Sequence, residues 1–252
     1  MLPGVLVIVL LFYSPVFGAD PDQSPFDYLE KYGYLEHVDG EDVVEKRSGS
    51  EVRRAVLQFQ AFAGLELTGK LDKVTQQMMK SARCGNRDIV ANFVLKEKWE
   101  RQELTFSILN YPTNSRLRSQ EVDQAIEKAL AMWQKESNLK LIKRESGPVD
   151  IKISFEKTEH GDGEFFATGE LGHAFLPKDG GDLHFADAEN WTVDEYNGKN
   201  LFGIALHELG HSLGLDHSKV KGAVMAPIYR GWDPFLRLSQ DDVDGITALY
   251  GE

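Results

Sequence analysis

One cysteine, Cys84, is the only thiol among 252 residues, so no disulfide can form within the chain. Folds stapled by bridges are thereby excluded. Basic residues are also scarce: 28 Lys and Arg face 40 Asp and Glu, for a net charge of −12. Nucleic-acid binding and a polybasic membrane surface both require clustered cations, and neither fits this balance. No hydrophobic run reaches membrane length. The longest early one, Val5 to Phe12, is too short to span a bilayer, and the final residues, ALYGE, form no apolar tail for a lipid anchor. Internal repeats and low-complexity tracts are absent as well.

What is present suits a globular protein. Hydrophobic residues make up 42 %, and the length suits one medium domain plus a small one. The early apolar run leads to small residues at Gly18 and Ala19, as in a signal peptide covering 1–18, although no Lys or Arg precedes the run. Secretion as a soluble chain without a membrane anchor is the expectation. An unpaired thiol in an oxidising compartment then stands out. Cys84 is an intermolecular, a reactive or an inert buried cysteine.

From Ser24 to Lys80 the pattern is helical, with Val52, Ala55, Val56 and Phe59 recurring at helical spacing, Ser48 and Glu51 at capping-box spacing, and Gly64 as a stop. Three short helices ending near Ile89 are predicted. The period then changes. Leu104, Phe106 and Ile108 alternate as in a strand, and Ile151, Ile153 and Phe155 do so again. Between them Val122, Ala125, Ile126, Ala129, Leu130 and Trp133 mark one face of a long helix with Ser119 as its N-cap. Short strands at LGHAFL and DLHFA, a helix from about Asn200 to Gly214 and a last helix starting at Ser239 complete an α+β chain.

Residues 207–217 read HELGHSLGLDH. His207 and His211, four apart on a helix, share one face, and Gly214 allows a left-handed stop that returns His217 toward them. Three imidazoles suit zinc and leave one position open, which marks a catalytic rather than a structural site. Glu208, beside the first ligand, is placed to take the proton of a water whose pKa zinc lowers to about 7. HExxHxxGxxH with a methionine turn is the metzincin signature, and Met225 resembles that turn. Of seven histidines, three more, His160, His173 and His184, gather with Asp162 in one Gly-rich stretch. Those four donors suit a closed structural zinc, the alternative being solvent-facing histidines on short strands.

YLEKYGYL, FQAFAGLELTGKLD, RCGNRD, the stretch from HGD through GGDLHF, and HELGHSLGLDHS together resemble the matrix metalloproteinases over nearly the whole chain after residue 18. The resemblance implies a metzincin catalytic domain over 93–252, a twisted, mostly parallel sheet with long helices, behind a three-helix prodomain over 19–92. It assigns His160, Asp162, His173 and His184 to a structural zinc. Asp150, Gly180 and Asp182 resemble ligands of at least one calcium, for which hard oxygen donors are apt. Ala167 and Ala186 replace two family aspartates, leaving only Glu189 of a second calcium site, which is expected to be lost. RCGNRD resembles the cysteine switch, in which the thiolate of Cys84 fills the fourth zinc position. Arg83 and Asp88 match the pair that braces that loop. Ala82 and Arg87 replace two prolines, so a less rigid loop and weaker latency are expected.

By the same resemblance, activation removes residues up to about Asn92, and the ammonium of Phe93 then meets Asp241 or Asp242. No furin-type Arg-x-Lys/Arg-Arg site is present. The polar segment 45–51 reads equally as bait for an activating protease or as a plain loop. The strand around Ala174 resembles the edge to which an extended substrate adds. Pro227 and Tyr229 resemble the wall of an S1′ pocket, and Gly203 stands where a bulkier residue would shorten it. Protein or peptide substrates with large apolar P1′ residues, and tissue-inhibitor-type partners, are implied for a monomeric, minimal matrilysin-like member without a haemopexin propeller. An inactive zinc-binding decoy would have no need of Glu208. Astacin- and reprolysin-type metzincins lean on disulfides that this chain cannot make.

Overall fold

The computed structural model describes residues 24–37, 48–89 and 98–251. The proposed signal peptide over 1–18, the 92/93 boundary with Phe93, and residues 45–47 of the suggested bait segment lie outside them. Three helices form the first unit: α1 (Pro25–Lys31), α2 (Gly49–Ala63) and α3 (Lys73–Met79). Each begins at a side-chain cap that accepts from the N3 amide: Ser24 from Asp27, Ser48 from Glu51 and Asp72 from Thr75. Gly64 ends α2 at φ 68°, where a side chain would be strained. Tyr28, Leu29, Val56, Phe59 and Phe62 bury their side chains in a core separate from the rest of the chain.

The second unit is a six-stranded sheet with helices packed against it. Its strands are β2 (Glu103–Ile108), β3 (Lys140–Lys143), β4 (Ile151–Glu156), β5 (Glu170–Ala174) and β6 (Leu183–Ala186), joined by β1 (Arg83–Cys84) from the far end of the helical unit. The order is β1-β5-β6-β4-β2-β3, and every neighbouring pair is parallel except β5 with β6. A two-residue pair, β7 (Trp191–Thr192) with β8 (Lys199–Asn200), stands apart and leads into α5 (Leu201–Ser212). Helix α4 (Ser119–Lys135) lays its entire apolar stripe, Val122 to Trp133, into the core, and Trp133 Nε1 donates to Leu206 O of α5 at 2.8 Å. Fully burying such side chains stabilises by about 1.5–3 kcal/mol each. Helix α5 is buried on all sides except at Gly203. Helix α6 (Gln240–Tyr250) closes the chain with a reciprocal cap between Ser239 and Asp242.

Ser119 is not the cap of α4. Arg118 occupies that place, one residue earlier, and Glu121 reaches back to accept its backbone N–H at 2.9 Å, the carboxylate half of a capping box.

Within the helical unit Gln60 has no exposure, and its amide joins α2 to the α3 approach. Nε2 donates to Thr68 Oγ1 (2.9 Å) and Thr75 Oγ1 (2.8 Å), while Oε1 accepts from Gly69 N (2.9 Å). Replacing it by Leu leaves a buried amide unmet, so Gln60→Leu should lower the stability of this unit by about 2 kcal/mol. Hydrogen exchange in α2 and α3 reads this, and unchanged protection would show the network to be idle.

Candidate metal centre

His207 and His211 project from one face of α5, and the turn after it brings His217 back. Gly214, at φ 99°, permits the reversal, and its amide donates to His211 O at 2.8 Å. Val224 O lies 2.6 Å from His207 Nδ1, and Leu215 O lies 2.7 Å from His211 Nδ1. A carbonyl only accepts, so both Nδ1 atoms carry protons, and the lone pairs sit on Nε2. Those atoms converge: His207 Nε2 is 3.2 Å from His211 Nε2 and 3.2 Å from His217 Nε2. Protonation does not relieve the crowding. Burial, reinforced by His217, pushes His207 down to about 3 and His211 well below its ordinary value. A cation among the nitrogens does relieve it, and the three-imidazole set fits zinc.

Cys84 supplies the fourth donor. Its sulfur and the three imidazole nitrogens all lie within 4.8 Å of one another. Burial, with Glu208 alongside, pushes the thiol well above its usual pKa, so a thiolate here needs a cation next to it. Glu208 is fully buried. Its Oε2 lies 3.3 Å from Cys84 Sγ, its Oε1 has no partner, and burial raises its carboxyl to about 8.

Strand β1 holds Cys84 between two walls. Arg83 N donates to Gly169 O (2.9 Å) and Gly85 N to Gly172 O (2.8 Å) on the β5 side, while Cys84 N donates to Pro227 O (3.0 Å) and Tyr229 N to Ala82 O (2.9 Å) on the other. Asn86 pairs with both backbone groups of Ala174, accepting from its N at 3.0 Å and donating to its O at 2.8 Å. Arg83 donates to Asp88 Oδ1 (2.6 Å), Tyr28 OH (2.5 Å) and Cys84 O (2.9 Å) and lies 3.4 Å from the Tyr32 ring centroid. Burial works against the Asp88 carboxylate, but Arg83 outweighs it and holds the group at about 2. Asp88 Oδ1 also approaches His217 Nδ1 to 2.7 Å, an ion-pair distance without the direction of a hydrogen bond. The loop thus has a charged brace where Ala82 and Arg87 stand.

Among the described residues one more set of this kind occurs. Asp162 Oδ2 lies 2.9 Å from His160 Nε2, 3.0 Å from His173 Nε2 and 2.8 Å from His184 Nδ1. His160 Nδ1 faces Lys157 O at 3.0 Å, which again turns the Nε2 lone pair inward. Three nitrogens and an oxygen gathered around one point match the four protein ligands of a closed zinc site. The calcium candidates are arranged differently. Asp150 accepts from Thr105 N (2.7 Å) and pairs with Arg101, while Asp182 accepts from Lys152 N (2.8 Å) and Nζ (3.1 Å). The β4–β6 register sets Asp182 near Lys152, two residues beyond Asp150, and Gly180 ends the adjoining 3-10 turn. Protein cations meet both carboxylates here.

Residues 98–251 match the family model described as matrixin. The chain belongs to the matrixin family. This matrixin is 42 % identical to stromelysin-1 of Mus musculus over 97 % of its own length and 53 % of that protein. Matrix metalloproteinase-20 of Homo sapiens is 43 % identical over 89 % of the chain and 47 % of that protein, and interstitial collagenase of Equus caballus 45 % over 89 % and 48 %. The matrixin chain therefore spans about half the length of the curated relatives it matches. Residues 27–79 match a family described as a putative peptidoglycan binding domain.

Three residues that matter to the matrixin site escape motif reading, and a fourth, Asp242, a candidate to face the Phe93 ammonium, has a further role. Asn86 sits inside the quoted RCGNRD but has no spacing signal, and Glu170 carries none at all. Gly210 has a steric role: a Cβ there would lie 2.2 Å from Met225 Sδ, so only glycine lets that buried methionine lie against α5 between the two histidines. Asp242, 1 % exposed, accepts from Val224 N (2.9 Å), Met225 N (3.0 Å) and Ser239 N (2.8 Å), fixing the turn whose Val224 carbonyl orients His207. Asp242→Ala orphans two buried amides and should cost about 3 kcal/mol. A thermal melt reads it, and an unchanged midpoint would show that the turn holds itself.

Proposed function

We propose that the chain is the latent form of a secreted zinc-dependent endopeptidase that cleaves extracellular or matrix proteins, with 1–18 as signal peptide, 19–92 as prodomain and 93–252 as catalytic domain. The convergence of Cys84 with His207, His211 and His217 beside an unpartnered Glu208 carries this reading. Zinc held by the three imidazoles would supply a Lewis acid that polarises a peptide carbonyl and acidifies water. Glu208 borders the place of the sulfur, so once Cys84 leaves, its free Oε1 is the base within reach of a water there. Departure of the same segment releases the Ala174 backbone groups that Asn86 holds and the carbonyls of Gly172 and Pro227. An extended substrate then takes up those bonds.

A cavity of about 300 Å3 opens beside the metal residues, with Leu171, Gly203, Ile204, Tyr229 and Leu236 in its wall. A Cβ on Gly203 would come within 3.3 Å of Leu236, so the glycine keeps the space deep. Pro227 and Tyr229 complete an S1′ pocket for large apolar side chains. His160, Asp162, His173 and His184 hold a second, structural zinc, Met225 supports the first site, and one calcium at Asp150, Gly180 and Asp182 requires Arg101 and Lys152 to yield the two carboxylates. The helical unit aims Tyr28, Tyr32 and the Arg83 brace at the metal cleft, which favours inhibition over the binding that the peptidoglycan family's description names. An activating protease and tissue-inhibitor-type proteins are the partners of this reading.

Glu208→Gln decides it. Native mass spectrometry of the full chain should count two zinc ions and one calcium for wild type and variant alike, whereas peptide cleavage after activation falls by about a thousandfold. Undiminished cleavage by the variant would overturn the assignment. A peptide series varying P1′ tests the pocket: Leu should exceed Ala by at least about tenfold in kcat/KM, since a single buried methylene is worth about 1–3 kcal/mol. Equal rates would remove the deep pocket.

A further inference from the structure

Glu170 opens β5 and is 2 % exposed, yet most of what satisfies it comes from the other unit. Its Oε2 accepts from Lys31 Nζ at 2.9 Å and from Ala167 N at 2.7 Å, and its Oε1 accepts from Tyr32 OH at 2.6 Å. Lys31 Nζ also donates to Phe165 O at 3.3 Å and stands 4.6 Å from the Phe165 ring centroid. The ammonium is therefore seated in a carboxylate, a carbonyl and an aromatic face, all three from the sheet unit, an arrangement that recognises an alkylammonium or guanidinium.

The seat lies on the rim where β1 lies. In that register Arg83 is opposite Glu170 and Cys84 opposite Gly172, so Glu170 falls within about two strand residues of the position held at the metal. Charges around the adjoining cleft sort by origin. The sheet unit contributes Glu164, Glu170 and Asp179, while the cations are Lys31 and Arg87 of the helical unit and its loop. Removing the helical unit strips Glu170 of two donors out of three and leaves an acidic, Phe165-walled recess beside the substrate path. The carboxylate keeps only Ala167 N, and a new cation in the recess restores the charge-assisted bonding that Lys31 supplied.

We propose that Glu170 forms a subsite for a basic side chain of the substrate, which Lys31 fills in the latent chain. This rests on the reading that the helical unit leaves an endopeptidase cleft. The test uses the full chain activated by limited proteolysis and paired peptides that carry Lys or its uncharged isostere norleucine, moved one position at a time across the cleaved bond. At one position wild type should favour Lys by at least about fivefold in kcat/KM, with the preference shrinking as salt rises. Glu170→Gln should bring the ratio near one, and Glu170→Lys should favour a Glu-bearing peptide instead. Because a ratio cancels any loss of folded enzyme, a poorly folding variant still reports. Cleavage of the norleucine peptides without a Lys preference at any position, or with one that survives Glu170→Gln, overturns the subsite while leaving the endopeptidase reading intact. No cleavage of any peptide by wild type overturns both.

Discussion

Three imidazole lone pairs turned toward one point, with the opposite nitrogens of two rings tied to backbone carbonyls, form the constraint around which this molecule is arranged. Val224 O and Leu215 O fix two of the tautomers. Those carbonyls lie in the turns that follow α5, so the chain after the helix must be as firmly placed as the helix itself. Gly214 directs it, and Asp242 pins the turn at Val224 and Met225. Burial of α5 around His207 and His211 removes the competing solution, in which the rings take up protons and drift apart.

The same centre joins two folding units that have separate cores. Helices α1 to α3 close around Tyr28, Phe59 and Gln60, whereas α4, α5 and the sheet enclose Trp133, Ile153 and Leu206. What joins them is polar and local: a two-residue strand, the Asp88 carboxylate beside His217, the Asn86 amide on Ala174, and Lys31 with Tyr32 on Glu170. Interfaces of this kind separate more readily than apolar ones.

Where the chain alone was legible, local periodicity or a fixed spacing carried the signal. The α4 stripe from Val122 to Trp133 is buried as its 3.6-residue period implies, and the motif histidines do gather with Cys84. Contacts between residues far apart in sequence leave no such trace. Glu170 meets Lys31 across 139 positions, and Asp242 meets Met225 across 17, neither with any repeating pattern. Ser119 lost the cap of α4 to Arg118 because the helix already includes Ser119, with Glu121 reaching back to the Arg118 N–H instead. The carboxylates of Asp150 and Asp182 show a further limit: oxygens that suit a hard ion also suit Arg101 and Lys152, and residue type does not choose between them.

Strand β1 is the outermost member of the six-stranded sheet, and it belongs to the part that latency supplies. In the proposed active form, without β1, β5 becomes a sheet rim whose amides and carbonyls face water, interrupted only by the irregularity between Glu170 and Gly172. Such rims pair with any extended backbone on offer, including loosened loops of neighbouring copies. The proposed active form is thus open to β-pairing with extended polypeptide along this edge.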